Sequence, residues 1–374
     1  MNLRRIISIL LVAGSLPAAS FAGTGTTHYV SLDGAHVPPF LSWLDAATNI
    51  QDALDVAVDG DTVLVATGEY AVAEQVADTN ALCFSGVGEP GETIIRATAS
   101  NRCCIVSNLD ALVTGFTFAD GYDDFGGAGV FLDASGILSN CIVIGCIGEV
   151  AGGGVFGDVA AVVDSCVIVS NWSRRGGGIY VALNGRLLAS VIAYNTGGNG
   201  GGVRSDDAVV ENCLVMNNES IQISGFPAID ATGGGIHNDG DINHCTVVSN
   251  SARLGGGVFG QGSIANSIVY YNHAWNSGDN YSTTLGMSSS CSEPLPAGLN
   301  NIAEPPGFRN IEACDYRLTR HSPCVDTAMD SGFTRDVLGA PRPRDGNGDG
   351  TIGYDMGAYE QPLPRLDALL FQIF

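Results

Sequence analysis

The 374-residue sequence contains no lysine; all 16 basic side chains are arginine, set against 39 acidic ones. The formal charge of −23 excludes nucleic acid and anionic membrane surfaces as natural partners, because such binding needs clustered cations that release counterions. Charged residues make up only 15% and aromatic residues 7%, yet hydrophobic residues reach 45%. A core can therefore be buried, and wholesale disorder is excluded. After the N-terminal segment no apolar run approaches about 18 residues, so no transmembrane helix is expected in the mature chain. No two of the 11 cysteines have the C-x-x-C spacing of a zinc site, and their number is odd, which argues against a disulfide framework.

Glycine is plentiful instead: 51 residues, about twice the usual share of ~7%. Residues 1–22 read as a secretory signal peptide, with Arg4 and Arg5, a short apolar run from Ile6 to Ala13, and small residues at Ser20 and Ala22. Its removal would take the charge to −25. A secreted or bacterial cell-surface location is expected.

Runs of small residues followed by Val or Ile recur, ending at Val130, Val155, Ile179, Val203, Ile236 and Val258, in steps of 25, 24, 24, 33 and 22 residues. Nine to eleven residues later stand Cys141, Cys166, Ser190, Cys213, Cys245 and Ser267. Five beyond these stand Cys146, Asn171, Asn195, Asn218, Asn250 and Asn272. Cys103 and Asn108 share the five-residue offset, which suggests an earlier coil in the same phase. Triple glycine opposes helix, the Val/Ile runs favour strand, and no helical period lies between units. Like residues stacked on parallel strands make a single-stranded parallel β-helix, all-β in class, with each coil about 4.8 Å above the last. The Cys/Ser column is expected to point inward as free thiols and hydroxyls, and the Asn column to form an amide ladder. An open end needs a cap. Residues 42–58 carry Ala46, Ile50, Ala53, Leu54 and Ala57 on one helical face, a capping helix, with Thr62-Val63-Leu64-Val65 as the first strand.

His28-Tyr29-Val30, Gly60-Asp61-Thr62-Val63 and Thr114-Gly115-Phe116-Thr117 resemble secreted right-handed parallel β-helix proteins of the pectate-lyase-like fold, which implies a right-handed coil here. The Gly-rich coils resemble polymorphic outer-membrane protein repeats. Asp315-Tyr316-Arg317-Leu318, Ser322-Pro323-Cys324 and Asp355-Met356-Gly357-Ala358-Tyr359-Glu360 resemble a choice-of-anchor Q domain. The resemblance implies a signal peptide over 1–22, an N-terminal cap over 23–60, coils over 61–285, a strand-and-loop cap over 286–360 and a tail over 361–374.

Three places could carry function. The stretch from Asp345 to Asp355 puts Asp345, Asn347 and Asp349 at alternate positions with Gly350 next, the first half of a calcium loop, to which Thr351 and Asp355 could add oxygens. The turns after the ladder carry Trp172, Arg174 and Arg175, then an expanded segment with Phe226 and Asp230, then Arg253, then Trp275. Aromatic and Arg side chains on one edge suit an acidic sugar. A third stripe, Phe131, Phe156, Tyr180, Arg204, His237 and Phe259, should face outward and form an external stack. Asp206 and Asp207 beside Arg204 read as a solvated turn. The leading expectation is a structural, adhesive or glycan-binding protein, with extracellular polysaccharide or cell-surface components as partner. The alternative is a lyase or hydrolase of acidic polysaccharide, whose mark would be three or more groove-lining carboxylates with an Arg.

Overall fold

The computed structural model describes residues 25–133, 135–224, 230–282 and 284–362. The expected signal peptide, Phe226 and all of the tail after Pro362 lie outside the described residues. The rest is a right-handed parallel β-helix. One coil runs through Ile137–Ser139, Ile142–Ile144, Ile147–Gly148 and Val155–Gly157, each on a different sheet. We number these sheets I to IV in that order. Among the described residues they hold eleven, ten, seven and eight strands, each rung pairing in parallel register with the next.

The corners explain the repeat. The turn from sheet I to sheet II starts on a residue with φ between 41° and 57°, as at Ala189, Asn212, His244 and Asn266. The turn from II to III does the same at Ser170, Tyr194, Asn217 and Ser249. From III to IV the chain turns through three glycines, the first at φ near 60° in Gly152, Gly176 and Gly255. The third glycine also lies against the ladder: a Cβ on Gly178 would press on the amide of Asn195.

Both inward columns form as expected. Asn171, Asn195, Asn218, Asn250 and Asn272 are buried, and each Nδ2 donates to the next Oδ1 at 3.0–3.1 Å. The ladder ends on Asn280, which the repeat did not suggest. Cys141, Cys166, Cys213 and Cys245 are buried free thiols. Each donates to the carbonyl two residues back at 3.1–3.3 Å, as the hydroxyls of Ser190 and Ser267 do at 2.6 Å. Cys104 is in register with Val130, which moves Cys103 to the glycine corner and Asn108 to the turn after sheet IV. Their five-residue offset is therefore not in phase with the later coils.

Two N-terminal expectations change. The helix covers only Ile50–Val56, because the side chain of Asn49 caps it by accepting from the N–H of Asp52 at 2.9 Å. Ala47 is instead bridged to Val30. Thr27–Val30 precedes Thr62–Val65 as the first rung, fixed by the buried contact of His28 with Asp61 at 3.1 Å. The helix buries Ile50, Ala53 and Leu54, and Gln51 mimics a neighbouring strand by bonding both the N–H and the carbonyl of Ala77.

At the other end, Gly286–Ser288 and Cys291–Ser292 continue sheets I and II beyond residue 285. Residues 299–302 cover the last rung: Ser289 N donates to Leu299 O, and Ser292 N to Ile302 O. The chain then turns back along the outer face of sheet II. There Tyr316, Val337, Ala358 and Tyr359 pack on Val191, Leu214, Met216 and Val248. Arg342, fully buried, holds Glu360 at 3.0 Å and Asn212 at 3.3 Å. His244 Nε2 lies 2.8 Å from Ser331 Oγ, and Met329 N donates to Asn266 Oδ1.

Candidate functional site

The expected sugar-binding edge maps to sheet III. Trp172 and Ser173 open the strand Trp172–Arg175, with Ser173 inward and Trp172 half-buried. Arg175, exposed, ends it. Arg253 pairs with Asp230 at 2.5 Å. Trp275 is exposed in His273–Ser277, but His273 stands four rungs from Trp172, about 19 Å away along the axis. The edge thus joins Arg253 to Asp230 and spreads the two tryptophans.

The third stripe is an external stack on sheet IV. The rings of Phe131, Phe156 and Tyr180 lie 5.0 Å apart and within 5° of parallel, with Arg102 over the free face of Phe131 at 4.9 Å. Their faces are taken by one another, so the stack stiffens the sheet. Phe125, from the end of sheet III, packs on Phe156 at 5.3 Å, and Thr232 Oγ1 lies 2.8 Å from His237 Nδ1. Outer side chains of sheets III and IV therefore meet across the glycine corner, and the two faces form an inward angle.

Where the ring stack ends, charge begins. Arg204, in register after Tyr180, donates to Asp239 at 2.8 Å and also pairs with Asp206, which the hydroxyl of Tyr180 bonds as well. Burial and the bond to Asp206 push the Tyr180 pKa up to about 12, so it stays a phenol. Burial and the charge of Arg204 lower His237 to about 3, so it is a neutral imidazole. Beside this cluster the turns from sheet IV to sheet I frame an open cleft of about 560 Å³, lined by Asp207, Asp239, Asp241, Gln261, Ser263 and Gly286 among others. Asp207, exposed in its turn as expected, lines the groove, while Asp206 stands behind it on Arg204. The sequence marked Arg204 and its two aspartates. It did not mark Asp239 and Asp241, because only coil stacking across a 33-residue step brings them alongside.

The segment from Asp345 to Thr351 folds tightly. Asp345 accepts from the N–H groups of Gly348, Asp349 and Gly350, Asn347 Oδ1 from Asp349, and Asp349 Oδ1 from Thr351. Asp326 joins from outside, accepting from the N–H groups of Gly346 and Asn347. Asp355 is buried behind it, bonded to the N–H groups of Asp326 and Gln361, and burial pushes its pKa up to about 8. The oxygens of Asp345, Asn347 and Asp349 suit a hard cation but already hold the loop's own N–H groups. Among the described residues no three His, Cys, Asp or Glu side chains are arranged to grip a metal ion.

No family model and no curated protein matches the chain. Among solved structures it is similar to pectate lyase Pel9A, at 14% identity and a TM-score of 0.56, over 91% of this chain and 98% of that one. The fold is the pectate-lyase-like β-helix. A rhamnogalacturonan lyase aligns over 85% of this chain and 95% of its own, at 12% identity and a TM-score of 0.49. Pectin methylesterase PemA from Erwinia chrysanthemi aligns over 75% and 94%, at 10% and 0.41. At these identities the likeness is one of fold. Among the described residues no helix is long and apolar enough to cross a membrane.

Proposed function

We propose that this is an exported glycan-binding β-helix protein whose binding site is the cleft between Asp207, Asp239, Asp241, Gln261 and Ser263. The observation that carries this reading is the cleft itself. Its size falls in the usual ligand range, and its polar side chains stand on turns between strands paired in parallel register in sheets IV and I. Carboxylates, an amide and a hydroxyl at adjoining rungs suit the hydroxyl-rich edge of a sugar chain running along the axis. Export rests on residues 1–22. Calcium, bound at Asp345, Asn347 and Asp349, would stabilise the C-terminal segment without taking part in binding.

Cleavage of a polysaccharide is the second reading: the three lining carboxylates beside Arg204 meet the mark expected of it, and it is favoured further by Asp206 and Asp239. They follow equivalent strand ends on successive rungs, so their backbones lie about 4.8 Å apart, with Arg204 between them. The test is a panel of polysaccharides in affinity gels, run with wild type and with Gly286→Trp, which fills the cleft from a position where a side chain meets nothing. Retardation lost in Gly286→Trp supports the site. Retardation indifferent to it counts against. New reducing ends or unsaturated products would favour the second reading.

A further inference from the structure

We infer that the cleft selects a glycan carrying free amino groups and disfavours polyuronates, an inference that rests on the cleft being the glycan site. The open groove supplies the site, and its charges decide what settles there. Asp207, Asp239 and Asp241 line it, and Asp206 stands behind. The cation beside them, Arg204, is held between Asp206 and Asp239 and has no full charge left for a ligand carboxylate. Arg186, in register with the lining Val209, is bound to Glu211 at 3.0 Å. His237, next to Arg204 on sheet IV, is neutral. Arg204 with the four aspartates leaves a formal charge of −3 around the cleft.

A uronate carboxylate entering there meets like charge in a partly enclosed space, where the field is stronger than in open water. An ammonium meets Asp207 and the second oxygen of Asp241, whose first accepts from Ser263 Oγ at 2.5 Å, while Asp239 is shared with Arg204. The chain's overall charge of −23 acts in the same direction at longer range. The fold shared with a pectate lyase therefore does not carry over a preference for pectate: the basic groups that would receive a polyuronate are already paired at this cleft.

The experiment compares three hexasaccharides of one length: a fully deacetylated amino sugar, its N-acetylated neutral form, and an oligouronate. Binding to the whole protein is measured by calorimetry at low salt and at about 0.5 M salt, where screening shortens the reach of charge to a few ångströms. Gly286→Trp and the double variant Asp239→Asn/Asp241→Asn are run alongside. The amino form is expected to bind roughly tenfold or more tighter than the neutral form, with the oligouronate weakest. That preference should shrink in high salt and in the double variant, and all cleft binding should vanish in Gly286→Trp. Oligouronate binding as tight as the amino form, and lost in Gly286→Trp, overturns the charge selection and leaves the cleft as a glycan site. Equal binding of the amino and neutral forms also overturns it. Binding of the amino form untouched by Gly286→Trp, or no binding of that form at all, overturns the cleft reading with it.

Discussion

Asn218 is bonded twice to Asn195: its Oδ1 accepts from the backbone N of Asn195 at 2.9 Å and from its Nδ2 at 3.0 Å. Its own Nδ2 donates to Ile192 O and to Asn250 Oδ1. One amide thus closes the corners of three successive coils. Replacing Asn218 by Ala strands two buried donors on Asn195. A loss of about 3 kcal/mol is expected, read from urea midpoints. A loss below about 1 kcal/mol would mean the ladder is incidental to stability.

The cysteine column makes a different prediction. Cys245 Sγ accepts from the N–H of Cys213 at 3.4 Å, and Ser267 Oγ serves Cys245 in the same way at 3.0 Å. Sulfur and oxygen are interchangeable there. Cys245→Ser should cost under about 1 kcal/mol, while Cys245→Val, isosteric but without an acceptor, should cost about 2 kcal/mol. Thiol titration of denatured, unreduced protein should find Cys141, Cys166, Cys213 and Cys245 all free; a disulfide among them would contradict the geometry.

Asp78 points into the core of an early coil, with one oxygen accepting from Asn80 N at 3.2 Å and the other unpartnered. Burial pushes its pKa up to about 7, above the unfolded value near 3.9. A raised folded pKa means that the stability present below about pH 4 is lost as pH climbs to about 7, on the order of a few kcal/mol. Asp78→Asn should therefore gain more stability over wild type at pH 8 than at pH 5, where only about a third of the effect has developed. Equal differences at both pH values would show that Asp78 does not titrate on folding.

Calcium at millimolar concentration should raise the melting temperature, since a cation bound only by the folded loop stabilises it. Asp349→Ala should abolish that rise. If neither calcium nor the substitution moves the transition, the loop is a turn closed by its own amides.

The sheet III edge remains testable as a separate surface for acidic sugar. Trp172→Ala with Arg175→Ala is expected to weaken binding of an acidic glycan without altering binding at the cleft, measured with the same hexasaccharides. Unchanged affinity for the oligouronate would leave that edge without a ligand role.

What could be read from the sequence was whatever every coil must repeat. Asn195, Cys213 and Gly178 each solve a local problem of backbone or space that recurs every rung, so they form visible columns. The cleft was illegible for the opposite reason. Asp207, Asp239 and Asp241 do not repeat, and their meeting depends on how a long insertion lets two coils resume register. The helix overran its true start because Ala46 fits an amphipathic face with Ile50 and Ala53, while the cap at Asn49 and the bridge of Ala47 to Val30 decided otherwise. The return of the C-terminal segment along sheet II was hidden because its contacts, such as Tyr316 with Ser249, join residues 67 apart.

That return path changes how the solenoid can come apart. Coils that touch only their neighbours can fray one at a time from an open end. Here a single strap crosses the rungs of Val191–Ala193, Leu214–Met216, Thr246–Val248 and Ile268–Tyr270, and it is riveted near its far end by Arg342. No one of those coils can loosen without peeling the strap from the others. The C-terminal half should melt as one cooperative block, while the coils before it keep the freedom to open singly.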